Sequence, residues 1–223
     1  MLTRTVERIE RMTNLVSNDR RYFIELVRRA ANIEGVESVF KRINERDDDM
    51  AVDHLMEIRY GVVFRDLGFS VRFEPTGPKG PDLRVTRDGV SAFVEVKRYR
   101  PKNGEDIPDS FGPHGTLSAY GDAAEAQTRM AKDLLDKISQ IEPRNGVEHG
   151  ILTLWSDREF FEELEFECAV RQISPEARQK GLRFCVFGSD YVNQRCQQRF
   201  YCEPVGLLPA PLNGWMEDLR RAR

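Results

Sequence analysis

The sequence predicts an α/β protein in which a mixed central sheet is flanked by helices in the order α-β-β-β-α-β, behind a helical N-terminal extension. Three observations carry that expectation. Apolar residues recur at helical spacing as far as Leu67, and then Phe69, Val71 and Phe73 alternate with polar neighbours, as a half-buried strand requires. Asp88-Gly89 stands between two β-rich runs, a strong short-range mark of a two-residue type I′ hairpin. After a long helical stretch, Gly150 to Trp155 reads as a buried strand.

The elements follow in order. Leu2, Val6, Ile9, Met12 and Val16 set a first helix, and the Ser17-Asn18-Asp19 break caps a second that carries Phe23, Leu26, Val27 and Ala30, because short polar side chains satisfy the free amides of a helix start. No strand pattern lies within residues 1 to 46, which read as a packing or dimerisation element. Asp47-Asp48-Asp49 marks a helix N-terminus rather than a metal site, since negative side chains favour the positive end of the helix dipole. The helix from about 50 to 67 carries Val52, Leu55, Met56, Val63 and Leu67 and stops at Gly68. Pro75 to Pro81 forms a loop, and strands follow at about 82 to 86 and 90 to 97. A helix at about 118 to 141, the strand at 150 to 155, a helix at 157 to 173 and a strand at 182 to 187 complete the pattern. The 157 to 173 helix is expected to pack through Phe160, Phe161, Leu164 and Cys168, with its glutamates turned away from any nucleic acid. A short basic helix is expected around Trp215 to Arg223. The chain then divides into an extension at 1 to 49, a core at 50 to 190 and a C-terminal extension at 191 to 223 packed on that core.

Composition narrows the class. At 223 residues and 40% hydrophobic, the chain is apolar enough to exclude wholesale disorder. No apolar run approaches the ~20 residues that span a bilayer, and the charged N-terminus lacks a secretory stretch, so a cytoplasmic location is expected. Cys168, Cys185, Cys196 and Cys202 lack zinc-clip spacing and read as reduced, mostly buried thiols. Residues 1 to 46 hold ten basic against seven acidic side chains, 118 to 168 hold five against twelve, and 169 to 223 hold nine against five. The net charge of −3 disfavours indiscriminate tight binding to polyanions but leaves room for a local basic groove.

The hairpin fixes a register. With Asp88-Gly89 as the turn, Arg87 faces Val90, Leu83 faces Val94 and Asp82 faces Glu95. Leu83, Val85, Ala92, Val94 and Val96 then point to one side, and Asp82, Arg84, Phe93, Glu95 and Lys97 to the other. Like charges set directly across a strand pair are destabilising. Two opposed carboxylates become favourable with a hard divalent cation between them, and Mg²⁺ is commonly held by one or two carboxylates together with substrate phosphate.

Gly80-Pro81-Asp82, twelve intervening residues and then Glu95-Val96-Lys97 inside an apolar run resemble the PD-(D/E)xK nuclease superfamily, the restriction-endonuclease-like fold, whose core order is also similar. The resemblance spans roughly residues 50 to 155. It implies a divalent-metal-dependent endonuclease that hydrolyses phosphodiester bonds, with Mg²⁺ or Mn²⁺ as cofactor and nucleic acid, DNA rather than RNA, as partner. It further implies Asp82 and Glu95 as metal ligands, Lys97 as the residue that orients or activates the water, and Glu57, on the preceding helix, as a further ligand. The alternative is a non-catalytic module that binds nucleic acid or protein on a nuclease-like scaffold, against which the intact trio argues.

Three features complete the candidate set. Arg98, Tyr99, Arg100 and Lys102 open a Pro/Gly-rich loop that runs to about Thr116; it reads either as a surface loop with a basic edge or as a segment contacting phosphates and stacking on a base. Gln127, on the following helix, is a weaker candidate for nucleic-acid contact, and His54, His114 and His149 lack matching partners in the sequence. A symmetric homodimer would suit cutting both strands of a duplex.

Overall fold

A computed structural model describes residues 1–15, 17–77, 79–98, 123–156, 163–189 and 199–222. Helices α1 (Leu2–Arg11), α2 (Ser17–Ala30) and α3 (Val36–Glu45) precede α4 (Asp48–Asp66). The first is shorter than its periodicity suggested, with Met12 and Leu15 buried in the turn beyond it, and Val16 outside the described residues. A separate α3 was not expected. It begins after Gly35, whose φ of +81° suits glycine and whose Cβ would lie 2.5 Å from the Phe73 carbonyl oxygen.

The aspartate run starts α4 as expected, with the Asp47 side chain accepting from the Met50 amide at 2.9 Å. Asp48 also ties the helix start to the end of α1. It accepts from the Thr13 amide at 2.8 Å and pairs with Arg8 at 2.5 Å, and the Thr13 amide first, then Arg8, holds its carboxyl below the usual range although partial burial works against them. Helix α4 is buried on nearly every side, because α2, α3 and the sheet enclose it.

Among the described residues, the six strands form one open mixed sheet in the order β1 (Ser70–Phe73), β2 (Leu83–Arg87), β3 (Val90–Arg98), β4 (His149–Ser156), β5 (Leu182–Ser189) and β6 (Arg199–Pro204). The hairpin forms in the deduced register, Leu83 opposite Val94 and Arg87 opposite Val90. Asp88 and Gly89 lie at φ of +53° and +77°, the positive values a type I′ turn needs. Helix α5 (Ala123–Ile138) joins β3 to its parallel neighbour β4, and α6 (Glu163–Gln179) joins β4 to parallel β5. Strand β6, which had no alternating signal of its own, closes the sheet antiparallel to β5, and α7 (Ala210–Arg221) follows it.

The sheet separates two apolar layers. On one side α1 to α4 and α7 cover Val85, Val94, Ile151, Phe184 and Val186; on the other α5 and α6 cover Phe93, Leu152, Leu154, Cys185 and Phe187. Arg87 fastens the hairpin to α7: its guanidinium lies 4.3 Å from the Phe69 ring centroid and pairs with Asp218 at 2.7 Å. The packing face of α6 is seen from Phe166 onward. Phe166, Ala169, Val170, Ile173 and Ala177 are buried, Cys168 is half-buried, and Phe160, Phe161 and the Leu164 side chain lie outside the described residues. Cys185 and Cys202 are buried free thiols, with burial pushing Cys202 up to about 12; Cys196 lies outside the described residues. Among the described residues no helix is long and apolar enough to cross a membrane.

Candidate active site

Strand β3 presents Glu95 at 2% exposure. Its backbone is pinned from the neighbouring strand, where the buried Thr153 hydroxyl donates to the Glu95 carbonyl at 3.0 Å. Asp82 comes just before β2, where the β1–β2 loop returns. The Glu74 amide donates to the Asp82 carbonyl at 2.8 Å, and the Val96 amide donates to Asp82 Oδ2 at 2.8 Å. The side chain of Asp82 is thereby held against the strand that carries Glu95.

Glu57 arrives from α4, buried to 5% exposure. Arg42 of α3 donates to Glu57 Oε2 at 2.6 Å and reaches Glu74 Oε1 at 3.0 Å, while His54 Nδ1 lies 2.7 Å from Glu57 Oε1. Glu74 has a φ of +43°, a left-handed conformation uncommon for a residue with a Cβ and frequent at functional sites.

These carboxyls act on one another. Glu57, Asp82 and Glu95 are each pushed up to about 8. Burial is the largest cause in every case. After it, Glu95 raises Glu57 although Arg42 opposes, Glu57 raises Asp82, and Asp82, in hydrogen-bond contact, raises Glu95. Burial and the Arg42 charge push His54 down to about 4. Burial thus disfavours the charged form of each partner in the 2.7 Å contact between His54 Nδ1 and Glu57 Oε1.

A second cation in contact with the cluster comes from α5. Lys137 Nζ donates to Glu95 Oε1 at 2.6 Å; burial works to lower its pKa, but Glu95 outweighs that and holds it above the ordinary lysine value. One turn on, the Gln140 amide lies 2.7 Å from both Glu95 oxygens when its nitrogen faces them.

The structure thus brings Asp82, Glu95 and Glu57 together. Lys97 stands two residues beyond Glu95 in β3, and its charge acts on Asp133 of α5, whose carboxyl is raised by burial against that influence. Arg98 points to the other face, pairing with Asp49 at 2.6 Å and lying 5.1 Å from the Trp155 ring. Gln127 reaches Gln172 of α6 at 3.5 Å, about 15 Å along α5 from Lys137 at 1.5 Å per residue. Tyr99, Arg100, Lys102 and His114 lie outside the described residues. His54 does have a partner, Glu57, and His149 accepts from Arg183 at 3.1 Å. Sequence reasoning missed Arg42, Glu74, Lys137 and Gln140. Lys137 shares a face of α5 with Asp133 at a spacing of four, and Gln140 follows three residues later in the turn after the helix, the one signal that could have marked them.

Among the described residues, no three His, Cys, Asp or Glu side chains are already set to grip a metal ion. The donor chemistry nevertheless fits one: the buried Glu57 and Glu95 and the half-buried Asp82, which raise one another's pKa, are the hard oxygen donors that Mg²⁺ or Mn²⁺ takes. The chain matches no family model, no curated protein and no solved structure with which it was compared.

Proposed function

We propose that this protein is a divalent-metal-dependent nuclease of the PD-(D/E)xK kind, hydrolysing phosphodiester bonds of nucleic acid, with DNA the expected substrate. The supporting observation is the convergence of Glu57, Asp82 and Glu95 from a helix, a loop and a strand into one buried cluster, each pushed up to about 8. Such an arrangement works against folding, so its rationale is chemical. Asp82, Glu95 and Glu57 would hold Mg²⁺ or Mn²⁺, which supplies Lewis-acid polarisation of the scissile phosphate and neutralises charge developing on it.

The remaining roles belong to the chain itself. Arg42 and His54 orient Glu57, and Thr153 and the Val96 amide fix the backbone of Glu95 and the carboxyl of Asp82. Lys137, on Glu95, and Lys97, two residues beyond it, are the two ammonium groups that can meet a phosphate or order an attacking water. Labelled plasmid, single-stranded DNA and RNA incubated with Mg²⁺, Mn²⁺ or EDTA test the reading against folded Asp82→Ala and Glu95→Ala. Metal-dependent cutting lost in both variants is expected. Cutting that persists in either variant or in EDTA would overturn it.

A further inference from the structure

Two arginines on the Glu95 side of the sheet have no acidic partner among the described residues. Arg84 lies opposite Phe93 across the hairpin, on the face that carries Glu95. The Arg144 guanidinium lies 5.5 Å from the Phe93 ring centroid. Both are half-buried. Arg84 donates to the Ser91 hydroxyl at 3.2 Å, and Arg144 to the Gln140 carbonyl at 2.7 Å. The Nε of each is buried and unbonded. Neither pairs with a described carboxylate.

Several other half-buried arginines of this chain pair with acids, although Arg20 and Arg183 bond the Met12 carbonyl and His149 instead. Arg8 pairs with Asp48, Arg42 with Glu57 and Glu74, Arg87 with Asp218 and Arg98 with Asp49. The partly desolvated guanidinium groups of Arg84 and Arg144 lack that compensation, and a planar fork of N–H donors matches a phosphate. The place is also suitable. Phe93 and Glu95 are two residues apart on one face of β3, about 6.8 Å, and Gln140 touches both groups, its carbonyl receiving Arg144 and its amide facing Glu95.

We infer that Arg84 and Arg144, with the Ser91 hydroxyl, form a subsite for a backbone phosphate of nucleic acid next to the carboxylate cluster, so that the strand runs over β2 and β3 toward the Asp88-Gly89 turn. The identity of the ligand rests on the nuclease reading, but binding can be measured without cleavage. Fluorescence anisotropy of a short labelled oligonucleotide, as single-stranded DNA, duplex DNA and RNA, is recorded in EDTA across a salt series. Arg84→Met and Arg144→Met are each expected to weaken binding of the preferred form about tenfold and to reduce the salt slope by about one. Arg84→Lys and Arg144→Lys guard against misfolding: they retain the salt slope while losing affinity, because the charge survives and the fork does not. Arg29→Met, at an exposed arginine paired with Asp66, should change neither quantity.

Unchanged affinity and slope in the two methionine variants would overturn the subsite, as would a wild type that binds none of the three oligonucleotides. Thermal stabilisation by inorganic phosphate that disappears in the methionine variants while oligonucleotide binding stays intact would reassign the pair to a free anion and equally overturn it. Oligonucleotide binding that depends on Arg84 and Arg144 in a protein that never cuts would support the subsite and refute the nuclease reading.

Discussion

Replacing Asp82 by asparagine should make the metal-free protein more stable, and by an amount that depends on pH. In the fold the Asp82 carboxyl is pushed up to about 8 from an ordinary 3.8, by burial first and then by Glu57. An acid whose folded pKa is raised loses its proton earlier in the unfolded chain, so stability falls as pH climbs from about 4 to about 8 and then levels off. At pH 7 the unfolded chain is ionised and the fold mostly is not. The gap between 7 and 3.8 at 1.36 kcal/mol per unit puts the cost at about 4 kcal/mol. Asparagine removes the titration, and its carbonyl can still accept from the Val96 amide, which now donates to Asp82 Oδ2 at 2.8 Å. Because the burden is shared with Glu57 and Glu95, the expected gain is about 2–4 kcal/mol near pH 8 and close to nothing near pH 4. Urea unfolding of both proteins in EDTA at the two pH values measures it. With Mg²⁺ the order should reverse, since wild type gains binding energy that the variant cannot. An Asp82→Asn variant less stable than wild type at pH 8 in EDTA, or a wild type equally stable at both pH values, would refute the reasoning.

Other consequences follow from the same packing. Lys137→Met leaves Glu95 without its ammonium partner at 2.6 Å and should lower metal-dependent cleavage about 100-fold, measured beside Lys97→Met on one substrate; wild-type rates in the first variant would remove Lys137 from the site. Arg42→Met strips a cation from both Glu57 and Glu74 and should cost about 3–5 kcal/mol in urea unfolding, against less than about 1 kcal/mol for exposed Arg11→Met, whose contact with Glu7 spans 3.6 Å. Gly61→Ala places a Cβ 2.5 Å from Phe73 Cζ, where α4 lies on β1, and should destabilise by about 1–3 kcal/mol; an unchanged melting temperature would mean that the ring can move aside.

The hairpin was legible because two local rules act on the same residues. Asp88-Gly89 dictates the turn, and the period of two dictates the faces, so the approach of Asp82 to Glu95 needs no knowledge of the rest of the chain. Glu57 was legible only through resemblance. Lys137 and Gln140 were not, because α5 reaches Glu95 through the pairing of β3 with β4, a contact made after a long crossover and written in no local pattern. His54 reads as partnerless in the sequence, yet it lies three residues before Glu57 on one helix face, a spacing that brings side chains into contact. Strand β6 was hidden for another reason: it spans only Arg199–Pro204 and ends in a proline, a residue that demotes a run as a strand.

Helix α4 shows why the cluster is better read as chemistry than as accident. A helix enclosed on nearly every side should be apolar on nearly every side, and Ala51, Leu55, Ile58 and Val62 obey. Glu57 and Arg59 break the rule, at 5% and 2% exposure. The charge of Glu57 is not simply neutralised by Arg42, because Arg42 divides between Glu57 and Glu74 while Glu95 pushes the other way. A leucine at position 57 would fill much the same volume without that burden. The carboxyl instead sits on a rigid helix, oriented by His54 and Arg42, within electrostatic reach of Asp82 and Glu95. Those are the conditions under which a site holds its ligands in place before anything binds, and they place the stability cost of the fold at the three residues from which metal-dependent chemistry would draw its oxygen donors.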